Sequence, residues 1–263
     1  MQTINSNADD RGVLTLTMNR PDVFNAFDAV MIEELTVALT AADQDDTVRV
    51  VVITGSGSCF SAGADLNWMR GLVGASVEEN ESDARDLATL MRVLNYLSKP
   101  TIARINGAAF GGGVGLIAAC DMAIAADTTQ FGLTEVRLGL APAVISAYVI
   151  RCIGESNARR YFLSGERFDC RQAQAIGLIQ QTVATEQLDQ VVEDRVGQLL
   201  KGGPLAMAQC KQLSFTIAGH DADSQKILDE YTAKLIAGLR VSTEGQEGLA
   251  AFLEKRKPDW IRD

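Results

Sequence analysis

Apolar residues recur along this chain with two different periods, and the alternation between them outlines the architecture. Val13 to Met18 alternates apolar and polar positions as a strand does, and Arg49-Val-Val-Val-Ile-Thr54 is an apolar run with the length of a buried strand. Between them Met31, Leu35, Ala38 and Leu39 share one helical face. Asp83 to Leu97 has helical spacing up to a Lys99-Pro100 stop, after which Thr101 to Ile105 reads as a strand. Met122 to Ala126 and Phe131-Gly-Leu are further strands, while the acidic stretch Gly71 to Ser82 is expected to be a mobile loop. This is a β-β-α rhythm with short connections. Past Gly154 the pattern turns helical, over Ala158 to Leu163, Cys170 to Ala175, Leu188 to Leu200, Leu205 to Ile217 and Gln225 to Leu239, with one strand near Leu178 to Val183. The expected fold class is α/β, with a helical C-terminal region suited to packing or oligomerisation.

Composition narrows the function classes. The chain has 263 residues, 47% of them hydrophobic, enough for a sizeable core. A net charge of -10 disfavours nucleic acid as a partner, but local N–H groups and a few cations still permit a small anionic ligand. The cysteines, Cys59, Cys120, Cys152, Cys170 and Cys210, are odd in number and without a CxxC pair, so reduced cytoplasmic thiols are expected rather than disulfides or a metal site. No signal-peptide pattern opens the sequence and no apolar run is long enough to span a bilayer, so no membrane partner is expected.

Candidate chemistry centres on Gly107-Ala-Ala-Phe-Gly111-Gly112-Gly113-Val114-Gly115, which runs into the apolar segment Leu116 to Cys120. Glycines at the mouth of a helix offer bare N–H groups at the positive end of its dipole. A second small-residue turn, Cys59-Phe-Ser-Ala-Gly63-Ala64-Asp65-Leu66, precedes another expected helix, opening at Leu66. Two such turns can supply one N–H each to a single oxygen.

Asn19-Arg-Pro21 with Asn25-Ala26, the Phe60 to Leu66 loop, the Asn106 to Gly115 segment, Cys120-Asp121 and the ending Phe252 to Trp260 follow one another in an order that resembles the enoyl-CoA hydratase/isomerase (crotonase) superfamily across nearly the whole chain. The resemblance implies a crotonase-like spiral of ββα units over residues 1–203, a helical trimerisation region over 204–263, and a homotrimer or dimer of trimers. It places the catalytic N–H donors at Ala64 and Gly112 and the proton-transfer carboxylate at Glu135. It implies an acyl-CoA thioester substrate with no separate cofactor and no metal. The CoA slot would run along Val23, Phe24, Ala26, Ala62, Ala64, Asp65, Leu66 and Asn67, with Lys255 or Lys257 near the 3'-phosphate. Leu138 to Ala147 is similar to methylglutaconyl-CoA and related branched glutaconyl-CoA hydratases. One position departs from the family: Gly115 stands where many hydratases carry a second glutamate.

The expected reaction is hydration of a 2-enoyl-CoA, with isomerisation by the single Glu135 as the alternative. A bland reading makes Glu135 a surface residue paired with Arg137. Gly113-Val-Gly115-Leu-Ile-Ala118 also fits a dinucleotide fingerprint, which keeps a nucleotide-dependent oxidoreductase open, and Gly115 keeps a non-catalytic CoA-binding protein open. Trp68 and Met69 are core or pocket-wall residues, His220 is a solvated loop residue, and Arg85, Arg92, Lys99, Arg104 and Arg137 are solvated charges on this reading.

Overall fold

The computed structural model describes residues 1–72 and 74–262. A hairpin of β1 (Ile4–Ala8) and β2 (Val13–Met18) leads through α1 (Ala29–Gln44) into repeating units that each lay down two strands and then turn helical. The first unit is β3 (Val50–Gly55) and β4 (Cys59–Ser61) with α2 (Leu66–Leu72) and α3 (Val77–Asn95). The second is β5 (Thr101–Ile105), β6 (Ala108–Phe110) and α4 (Gly112–Ala119). The third is β7 (Met122–Ala126) and β8 (Gln130–Gly132), then a 3-10 turn (Glu135–Leu138) and α5 (Ser146–Ser164). The chain continues through β9 (Arg167–Asp169), α6 (Cys170–Ala175), β10 (Gln181–Val183), α7 (Leu188–Leu199), α8 (Pro204–Ile217), α9 (Ala222–Val241) and α10 (Thr243–Leu253).

Each unit contributes its first strand to one sheet and its second to another. The larger sheet runs β1-β2-β3-β5-β7-β10, parallel beyond the hairpin, and the smaller runs β4-β6-β8-β9. Two-sided burial explains the unbroken apolar run of β3, all six of whose residues are buried. The largest core cluster lies between this sheet and the helices, with Leu16, Met18 and Ile53 of the strands against Met31, Leu35 and Leu39 of α1 and Leu90 and Leu94 of α3.

Several elements differ from expectation. Most of Gly71 to Ser82 is helical rather than a loop: α2 reaches Leu72 and α3 starts at Val77, six residues before the expected start at Asp83, while Val73 lies outside the described residues. The start of α3 is set by a capping box in which Ser76 and Glu79 exchange side-chain and backbone hydrogen bonds, and by acidic residues in its first turn. α5 begins at Ser146 rather than Ala158 and is interrupted at Gly154, whose φ of 76° breaks the helical path. β1, β4, β6, β9 and α10 were not foreseen. Among the helices past residue 203, α9 lies on α3, burying Ala233 and Ile236 with Ala84 and Ala88. α8 buries none of its residues, and Leu205, Leu213 and Ile217 stand exposed on it. No helix among the described residues is long and apolar enough to cross a membrane.

Candidate active site

Adjacent parallel strands bring the two small-residue turns together. β4 pairs with β6 through Cys59↔Ala108 and Ser61↔Ala109, so the loops leaving their C-terminal ends emerge side by side. The approach is close enough to require glycine. A Cβ on Gly63 would sit 2.9 Å from the Phe110 carbonyl oxygen, and one on Gly113 would sit 2.8 Å from that of Ser61.

The first turn is held from behind by polar groups. Buried Asn25 donates from Nδ2 to the carbonyls of Ser56 and Cys59, 2.8 Å each, and Ser61 Oγ donates to the Asn25 carbonyl at 2.8 Å. Asp65 is only 3% exposed; its carboxylate accepts from Arg20 Nη2 at 2.9 Å and from the backbone N–H of Asn67 at 2.7 Å and of Trp68 at 3.2 Å. Asp65 is thus committed to capping α2. The Ala64 N–H makes no hydrogen bond among the described residues, and neither does the Gly112 N–H in the first turn of α4. Both residues line one cavity of about 650 Å³.

The carboxyl group reaches that cavity from the third strand of the small sheet. β6 pairs with β8 through Ala109↔Phe131 and Phe110↔Gly132, which sets the 3-10 turn after β8 beside the start of α4. Glu135 Oε1 lies 3.1 Å from where a Gly111 Cβ would be, and Oε2 is buried without a hydrogen-bond partner. With no cation to offset desolvation, burial pushes the Glu135 carboxyl up from 4.5 to about 7. Arg137 is exposed on the cavity wall and forms no ion pair with Glu135, which removes the surface-pair reading.

Gly115 is buried in α4, and a Cβ there would lie 2.2 Å from Ile145 Cγ2 and 3.3 Å from Met91 Cε. The space a second glutamate needs is filled by Ile145. Because Gly113 and Gly115 are both buried within a helix, against Ser61 and Ile145, the apparent dinucleotide fingerprint offers no loop that a pyrophosphate can approach. Among the described residues no cluster of His, Cys, Asp and Glu has metal-binding geometry.

The other expected site residues divide. Ala62 and Ala64 line the cavity, whereas Val23, Phe24, Ala26, Asp65, Leu66 and Asn67 do not; Val23, Phe24 and Leu66 are exposed and Ala26 is buried. Lys255 and Lys257 are exposed near the end of the chain and lie off the cavity, whose wall instead takes in Arg256, Pro258 and Trp260. Trp68 and Met69 are wall residues, as expected. His220 is half-buried rather than solvated, with Nδ1 2.9 Å from the Tyr96 hydroxyl. Arg85, Arg92 and Arg104 are likewise paired, with Glu230, Asp229 and Asp189.

Sequence reasoning missed Arg240, a buried cation of α9 that lines the cavity, with its guanidinium 5.7 Å from the centre of the Trp68 ring. No motif marks it; only the packing of α9 on α3 delivers it.

Residues 8–263 match the family model described as enoyl-CoA hydratase/isomerase. The chain is similar to a 2,3-dehydroadipyl-CoA hydratase of Escherichia coli, 33% identical over 94% of each sequence. It is also similar to a crotonyl-CoA hydratase of Syntrophomonas wolfei, 34% identical over 94% of this chain and 93% of the relative. The crystal structure of an enoyl-CoA hydratase from Mycobacterium avium superposes with a TM-score of 0.86 at 35% identity, covering 99% of this chain and 100% of that one.

Proposed function

We propose that this chain, which belongs to the enoyl-CoA hydratase/isomerase (crotonase) family, adds water to the double bond of a 2-enoyl-CoA, and that its substrate is methylglutaconyl-CoA or a related branched glutaconyl-CoA. The observation that carries this reading is the convergence on one cavity of two unpaired N–H groups, Ala64 and Gly112, with a carboxyl group raised toward neutrality, Glu135. The thioester carbonyl oxygen accepts from both N–H groups and gathers negative charge as water attacks the β-carbon. Ionised Glu135 takes the proton that water gives up and returns it to the α-carbon, so one C–O and one C–H bond form as the alkene and one O–H bond break. Substrate, water and this carboxylate balance the reaction without a cofactor. Ile145 closes the Gly115 side with an apolar wall, which makes Glu135 the group for both proton movements.

Residues 1–203 form the spiral that holds this chemistry, and residues 204–263 supply its outer wall and, through the exposed apolar residues of α8 and α9, the contacts of a homotrimer or dimer of trimers. Polyanionic CoA finds cations on the cavity wall at Arg137, Arg167 and Arg256, with Lys255 and Lys257 beside Arg256 in the chain. A single carboxylate favours one second reading, isomerisation of a 3-enoyl-CoA by Glu135 alone. Purified protein given crotonyl-CoA, methylglutaconyl-CoA and a 3-enoyl-CoA separates the two. Hydration bleaches the conjugated-thioester absorbance of the first two and adds the mass of one water to the product. Absorbance that instead grows from the 3-enoyl-CoA, with no change of mass and no action on the others, makes the chain an isomerase.

A further inference from the structure

The cavity contains one charge that hydration does not use. Arg240 is 7% exposed, and its Nη1 donates to Asp83 Oδ2 at 2.7 Å and to the Asn80 carbonyl at 3.5 Å. Nε and Nη2 make no hydrogen bond among the described residues, yet neither is sealed off, since Arg240 lines the cavity. Asp83 in turn accepts from Trp68 Nε1 at 2.8 Å, so the guanidinium is fixed on one side by a carboxylate and on another by the indole ring. Trp68 lies four residues after the Ala64 donor, in the first turn of α2, and both line the cavity. Around these polar groups the wall is apolar, made by Met69, Leu87 and Ile236. Two donors of this largely buried arginine therefore face the cavity without a protein acceptor among the described residues, and the guanidinium fork matches a carboxylate.

Resting on the hydratase reading and deepening it, we infer that Arg240 receives a carboxylate at the far end of the acyl group, so that the substrates are short 2-enoyl-CoA thioesters with an acid terminus. Trp68 and Asp83 are positioning residues: they hold the guanidinium plane while its remaining donors meet the substrate. Apolar acyl chains of equal length offer those donors no acceptor and bind more weakly.

Binding of two saturated analogues, glutaryl-CoA and valeryl-CoA, measured by calorimetry tests this without turnover. Wild-type protein is expected to bind glutaryl-CoA roughly ten- to a hundredfold more tightly than valeryl-CoA, the range for a hydrogen-bonded charge. In Arg240→Met the ratio falls to about one, and in Arg240→Lys, which keeps a cation opposite Asp83, part of the preference survives. Should Arg240→Met fail to fold by thermal melting, the Arg240→Lys ratio carries the test alone. Equal affinities in the wild type, or a preference unchanged in Arg240→Met, overturn the assignment. A wild type that discriminates the two analogues but turns over no 2-enoyl-CoA leaves Arg240 standing and sinks the hydratase reading instead.

Discussion

Because burial raises Glu135 to about 7, its ionisation governs activity and stability in opposite directions. As a base it works only when ionised, so kcat/KM for hydration is expected to rise with pH through about 7 and level off above it, measured as a pH–rate profile. For folding the sign reverses. The carboxyl keeps its proton in the folded chain over a range where the unfolded chain, titrating near 4.5, has lost it, so stability falls as pH rises from 4.5 to about 7. Glu135→Gln removes that penalty. Denaturant titration should find this variant more stable than wild type by up to about 3 kcal/mol at pH 8, with the gap closing near pH 4. Gly115 gives a second test at this scale. Its missing Cβ is demanded by Ile145, so Gly115→Glu alone is expected to lower the melting temperature, by overpacking worth roughly 1–3 kcal/mol, without raising turnover. An added Ile145→Gly should restore the melting temperature.

At the level of elements, the capping box of α3 makes a clean prediction. Ser76→Ala should cost about 1 kcal/mol of stability in a thermal melt, since it strips the acceptor from the Glu79 N–H. The same element shows what was legible in the sequence. Long periodic elements such as β2, β3, α1 and the later part of α3 announce themselves, because one face or both faces are buried. The first turns of α3 are acidic and mostly exposed, so apolar period says nothing there, although Ser76 and Glu79 stood in the sequence as a cap. β4, β6 and β9, three residues each, are too short for any period. The turns carrying Ala64 and Gly112 were readable because close backbone contact demands glycine. Arg240 was not, because its partners Asp83 and Trp68 lie far upstream on other helices.

For the molecule as a whole, the helical region past residue 203 faces two ways. Its inner side closes the cavity through Ile236, Arg240 and Leu249, while Ile217 at 80%, Ile227 at 73% and Tyr231 at 64% exposure are left open on its outer side. Apolar area on that scale suits burial between copies of the chain. Light scattering is expected to give the mass of a trimer or of two trimers, and Ile217→Glu with Ile227→Glu to shift it toward the monomer. A wild-type monomer at micromolar concentration would return these helices to a role within one chain.

The role of Glu135 in hydration is tested most directly by one rate comparison at saturating substrate and pH 8, wild type against Glu135→Gln, with the product weighed to count added water. Calorimetry with a saturated acyl-CoA confirms that both forms bind the thioester. The expected result is a 3-hydroxyacyl-CoA from wild type and a kcat lower by roughly a hundredfold or more in the variant, the share of one proton-transfer group. Near-wild-type hydration by Glu135→Gln, with thioester binding intact, would contradict it.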